Sequence, residues 1–198
     1  MNLTYVTGNY GKYMSVKDKF EKYGLDIKYA DMDLDEPYTE DIEFISHEKA
    51  RLAYLGVKSP VFVVDCGFYI EDYPNKPGYP GALVKRSGVS TNIDELLEVM
   101  KEVDNRNCYF LDCLTYYDGE KYYTFYGKSK GLLTREKKGL ITKRAKSNLW
   151  LVYIPEGYSK TLAEMTEEEI KNKVSKDSVT EKFILWYKEN VSQKKYIK

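Results

Sequence analysis

Along this chain of 198 residues the spacing of apolar and polar positions changes character partway. In the opening third, short apolar runs alternate with charged stretches of helical period. This predicts a strand over 3–7, a helix over about 11–23, a strand over 26–31, an acidic turn over 32–41, a helix over about 42–56 and a strand over 60–65. The result is a βαβαβ opening. The run from Pro60 through Val61, Phe62, Val63 and Val64 is continuous, as in strands covered on both faces, and it extends through Phe68-Tyr69-Ile70 into a loop rich in Gly, Pro and Tyr. Beyond it, an Asn92-capped helix is expected over 92–102. Strands Cys108 to Thr115 and Tyr122 to Lys128 flank Asp118-Gly119, a hairpin signal, and a third strand is expected from Gly131 to Arg135. The tail of the pattern predicts a strand from Leu149 to Ile154, a helix opening at Thr166-Glu167-Glu168-Glu169, a last amphipathic helix from Val179 to Asn190, and a frayed end over Gln193 to Lys198. The 20 tyrosines alternate through the hairpin strands, which suits sheet packing better than base stacking.

Charge narrows the partners. Lys+Arg and Asp+Glu both number 31, so no global basic field draws the chain to nucleic acid or to an anionic membrane; any anion must be held by a local cluster. No apolar run approaches the roughly 20 residues of a membrane span, and the N-terminus reads as a strand rather than an export signal, so a cytoplasmic protein is expected. Cys66, Cys108 and Cys113 lack metal-ligand spacing and are expected to be free thiols. His47 is the single histidine, is expected on a helix surface, and leaves no histidine-rich metal site.

Two segments carry chemistry. Thr7-Gly8-Asn9-Tyr10-Gly11-Lys12 sits where a strand delivers a glycine turn and a lysine to a helix start, an arrangement that suits an anion. A plain turn is the alternative. Asp65 stands at the end of the buried Val/Phe run, where open α/β sheets gather ligands; it can ligate a divalent metal, activate a water, or simply cap the turn before Gly67.

The order of motifs resembles the inosine triphosphate pyrophosphatase family over roughly residues 3–180. Thr7-Gly8-Asn9 with Lys12 resembles its opening TGNxxK. Asp33-Leu34-Asp35-Glu36 is similar to its acidic metal loop, Lys49-Ala50-Arg51 to its KAR element, and Asp65-Cys66-Gly67-Phe68 to its acidic strand end. Gly78-Tyr79-Pro80-Gly81 with Lys85 resembles GxPGxYxK, and Thr161-Leu162-Ala163-Glu164-Met165 resembles TxAEM. The resemblance implies an elongated mixed central sheet flanked by helices, with two lobes and a cleft between them. It implies a single domain over 1–198, with a phosphate and metal half over about 1–90 plus 160–190 and a hairpin-rich lobe over about 104–155. It further implies hydrolysis of nucleoside triphosphates to monophosphate and pyrophosphate with Mg2+ (Mn2+ as an alternative). Glu36 and Asp65 would hold the metal, Asp65 would be catalytic, and Thr7, Gly8, Asn9, Lys12, Lys49 and Lys85 would meet phosphate. Members are commonly homodimers, and the aromatic hairpin from Cys108 to Tyr126 is a candidate pairing face.

The departures matter equally. Val64 replaces one acid of the strand end and Cys66 replaces a hydroxyl residue. Ser147 to Leu151 lacks the family's FG(W/Y)DP residues, and Ser175-Lys176-Asp177 keeps only the serine of SHR. Trp150, Ser175 and Lys176 are the remaining base-pocket candidates, and an altered or relaxed base preference is expected. Two alternatives stay open: a catalytically impaired nucleotide-binding protein on the same fold, and a hydrolase for another phosphorylated small molecule.

Overall fold

Residues 3–173 and 176–192 are described by the computed structural model. Strands β1 (Thr4–Val6) and β2 (Lys28–Ala30) run parallel, and β1 also pairs in parallel with the long β3 (Val61–Ile70). From β3 the sheet turns antiparallel through β5 (Asn107–Tyr117), β6 (Tyr122–Leu133) and β7 (Tyr153–Pro155), giving the order β2-β1-β3-β5-β6-β7, with the two-residue β4 (Pro80–Gly81) on β3. The expected mixed sheet with flanking helices is what forms.

Alternation along β3 dresses its two faces differently. Phe62 points toward α1 (Tyr10–Lys22) and α5 (Val179–Tyr187), where it meets Phe20 and Phe183 at ring separations of 5.6 and 5.1 Å. Val61 and Val63 face α2 (Ile42–Val57) through Ala50 and Ala53, whose small side chains let the helix lie close. A third apolar cluster gathers Phe68 and Ile70 with Ile93 and Leu96 of α3 (Ile93–Val99) and with Leu149, Trp150 and Leu162. Each such large side chain taken from water contributes about 1.5–3 kcal/mol. Local signals set the helix starts: Asn9, Asp41, Asn92 and Ser178 cap their helices, and Thr166 with Glu169 forms a reciprocal capping box for α4 (Glu167–Asn172).

Three expectations need correction. The strand expected at 131–135 is the end of β6. Gly131 does not break it but admits β7, since a Cβ there would stand 2.3 Å from the Ile154 carbonyl and 2.6 Å from the Tyr153 ring. The strand expected over Leu149–Ile154 is a 3-10 turn, Asn148–Leu151, followed by β7. Adjacent Leu149 and Trp150 are both buried in one cluster, which an alternating strand cannot achieve. The last helix stops at Tyr187 and widens into a π-type turn over Lys188–Ser192, while the tail from Gln193 lies outside the described residues. The three cysteines are free. His47 stacks on Tyr122 at 4.5 Å and lies 2.8 Å from the Thr124 hydroxyl, partners enough for a helix-surface side chain. Among the described residues no helix is long and apolar enough to cross a membrane.

Candidate active-site cleft

A cleft of about 610 Å³ opens around the carboxyl end of β1 and the middle of β3. Its first wall is the turn after β1. The Thr7 hydroxyl accepts from Asn9 N at 3.1 Å, and Asn9 Oδ1 accepts from Lys12 N at 3.0 Å, closing the first turn of α1. Gly8 meets nothing closer than 3.5 Å at a built Cβ, so its value here is backbone access rather than relief of a clash. Gly11 is different: a Cβ would strike the carbonyl oxygens of Arg144 and Ala145 at 2.6 and 2.8 Å, so this glycine lets the 142–146 segment reach α1. Asn9 Nδ2 fastens that segment by donating to the Lys146 carbonyl at 3.0 Å.

At the centre, Lys49 of α2 stands between two carboxylates. Its Nζ is 2.8 Å from Glu36 Oε1 and 2.5 Å from Asp65 Oδ1. Burial would lower the Lys49 pKa, but the charge and hydrogen bond of Asp65, with those of Glu36, outweigh it and hold it above the ordinary lysine value. Burial likewise pushes Glu36 up, yet Lys49, assisted by Lys85 and Lys12, leaves its carboxyl below the usual range. Asp65 is 5 % exposed and its second oxygen, Oδ2, is buried with no hydrogen-bond partner. A buried carboxylate oxygen left bare is a strong acceptor for a cation or a water proton. Lys12 donates to the Val64 carbonyl at 3.0 Å, and Lys85 reaches Asp33 and Glu36 at 3.5 and 3.6 Å from an exposed position.

Thr7, Gly8, Asn9, Lys12, Glu36, Lys49, Asp65 and Lys85 therefore line one cleft, as does Trp150, buried at its far wall. Lys176 does not. Its ammonium projects into solvent and pairs with Glu156 at 3.5 Å, and Ser175 lies outside the described residues. Of the acidic turn, Glu36 faces inward while Asp33 stays exposed at the rim. Among the described residues no three His, Cys, Asp or Glu side chains gather to hold a metal by themselves. Glu36 and Asp65 still suit a hard ion such as Mg2+, which takes one or two carboxylates, phosphate oxygens and water. The fit rests on the bare Asp65 oxygen and on both acids converging on one cation.

Sequence reasoning missed the other side of the cleft. Asp112 pairs across the sheet with Cys66 and so shares its face, opposite to that of Asp65. Lys19, Lys146 and Lys173 line the same side, with Arg144 close to Asp18. The spacing Lys12, Ser15, Lys19 marks one face of α1 and was readable as a stripe.

Comparison with known proteins agrees with this architecture. Residues 3–179 match the model of the Ham1 family. The chain is 30% identical over 194 residues to a dITP/XTP pyrophosphatase of Methanopyrus kandleri, covering 97% of this chain and 99% of that protein. It is 29% identical over 183 residues to an inosine triphosphate pyrophosphatase of Candida glabrata, covering 87% and 90%. In fold it is similar to a HAM1 protein from Coxiella burnetii, with a TM-score of 0.74 at 17% identity over 96% of this chain and 100% of the other.

Proposed function

The chain belongs to the Ham1 family, and from that premise we propose that it hydrolyses nucleoside triphosphates to monophosphate and pyrophosphate with a divalent cation, acting on a cytoplasmic nucleotide pool with an altered base preference. The observation that carries this reading is the partly buried Glu36–Lys49–Asp65 cluster, with the bare Asp65 Oδ2, beside Lys12 and Lys85 in one cleft.

In this reading the geometry supports the following roles. Lys12, Lys49 and Lys85 present ammonium groups to the polyphosphate as point charges. Lys49 already spans both acids, so an arriving phosphate gains its ammonium by sharing or displacing the contact with Asp65. Asp65 accepts the proton of a water whose oxygen bonds to the α-phosphorus while the bond to the bridging oxygen breaks and pyrophosphate leaves with the electron pair. Glu36 and Asp65 would hold Mg2+ or Mn2+, which when bound neutralises charge on the phosphates and orients the leaving group. Pairing of two copies through the hairpin, where Tyr122 and Tyr126 are partly exposed, belongs to the same proposal.

The test is product identification after incubation with magnesium and dITP, XTP or ATP. Monophosphate plus pyrophosphate is expected; diphosphate plus phosphate would contradict the reading. Val64, which removes an acid from the strand end, favours a second reading as a nucleotide-binding protein with impaired turnover. Binding without products would select it.

A further inference from the structure

We propose that the side of the cleft facing away from Asp65 is an anion subsite built from Lys19, Lys146 and Lys173, so that the part of the substrate remote from its polyphosphate carries negative charge at neutral pH. This rests on the nucleotide reading above and narrows it to a substrate class: nucleotides whose base end is acidic, through an ionised ring or an acidic substituent.

The argument is one of unanswered charge. The three lysines line the cleft and act on one another, Lys19 with Lys146 and Lys173, and Lys173 with Lys146. The nearby acids are mostly engaged. Asp18 is held by Arg144, and Asp177 accepts from Lys128 N at 2.8 Å and pairs with Lys182. Asp112 remains within reach of Lys19 and Lys173, and Glu181 within reach of Lys19. Lys19 donates to the Ser178 hydroxyl, a neutral partner, and among the described residues neither Lys146 nor Lys173 makes an ion pair.

Burial, with Lys146 and Lys173 adding to it, pushes Lys19 down to about 8, and burial also lowers Lys173. Both behave as cations short of counter-charge. A neutral ring placed here would leave partly desolvated ammonium groups without an anion, whereas a carboxylate or ionised ring would take charge-assisted hydrogen bonds from them. On the opposite side of the cleft Lys49 is paired with Glu36 and Asp65, and Lys85 with Asp33 and Glu36, so the ammonium groups there already have carboxylate partners.

Titration calorimetry of the full chain with two matched pairs of monophosphates tests this without requiring turnover. Orotidine and uridine 5′-monophosphates differ by a carboxylate on the base, and xanthosine and inosine 5′-monophosphates by a ring that ionises readily. The acidic member is expected to bind about tenfold tighter in at least one pair, the pair identifying the kind of anion. The double variant Lys146→Ala/Lys173→Ala should lose that preference while binding neutral members within about twofold of the parent, and Lys146→Arg should keep it. Equal binding within both pairs, or a preference that survives the double variant, would overturn the subsite. Failure to hydrolyse triphosphates would leave these affinities unchanged and would count against the hydrolase reading alone.

Discussion

The two sides of the cleft are built on different terms. Around Lys49 the ammonium group is answered by two carboxylates at 2.8 and 2.5 Å, and Lys49 and Asp65 stand on the regular elements α2 and β3. Around Lys146 the charges are largely unanswered, and the backbone comes from the irregular 134–152 segment and the short connection between α4 and α5. One side is suited to fixed chemistry. The other is anchored to α1 through Asn9 and through Gly11's missing side chain, so its lysines can vary without disturbing the acids.

Substitutions can break this contrast, and the largest effect belongs to Asp65→Asn. It keeps the shape and removes the proton acceptor, so pyrophosphate release should fall by about 10³-fold with an unchanged circular dichroism spectrum. Activity within tenfold of the parent would exclude the assigned role.

Lys49→Met should come next, because it leaves the buried Asp65 without its ion-pair partner and Glu36 with only the more distant Lys85 at 3.6 Å. A loss of about 3 kcal/mol is expected in urea unfolding at neutral pH. The pH dependence has a definite sign. Glu36 is lowered, so its contribution is present above its ordinary value of 4.5 and disappears as pH falls through the lowered one. Lys49 is raised, so its contribution is present below 10.5 and disappears as pH rises through the raised value. The stability gap between parent and variant should therefore be widest between these limits and narrow in acid.

Gly11→Ala probes the seam between the two sides. The added methyl would collide with the backbone of Arg144 and Ala145, and a loss of about 1–3 kcal/mol in thermal or urea unfolding is expected. The smallest change has the opposite sign. Lys19→Met removes a partly buried ammonium with too little counter-charge and should stabilise the ligand-free chain by about 1 kcal/mol at pH 7. Because Lys19 is lowered to about 8 from 10.5, the unfolded chain binds the extra proton between those values. The parent should gain stability as pH rises across that window, and the variant should lack the slope.

The same contrast explains what could be read in the sequence. Lys12 and Asp65 were legible because each lies in or just beyond a strand whose apolar run is unmistakable, and Lys49 because it sits on a long periodic helix. Lys146 and Lys173 were not, since their positions depend on tertiary contacts such as Asn9 Nδ2 on the Lys146 carbonyl, which no local period encodes. Lys176 was singled out from motif register, but its side chain turns to solvent and Glu156. Misread backbone has a similar cause: Gly131 looked like a strand boundary because the close approach of Tyr153 that requires it is long-range.

A single turnover in water enriched with heavy oxygen, followed by mass analysis of both products, bears most directly on the claim that Asp65 directs water to the α-phosphorus. One heavy oxygen on the nucleoside monophosphate and none on pyrophosphate is the expected result. Label in the pyrophosphate, or release of inorganic phosphate instead, would contradict it.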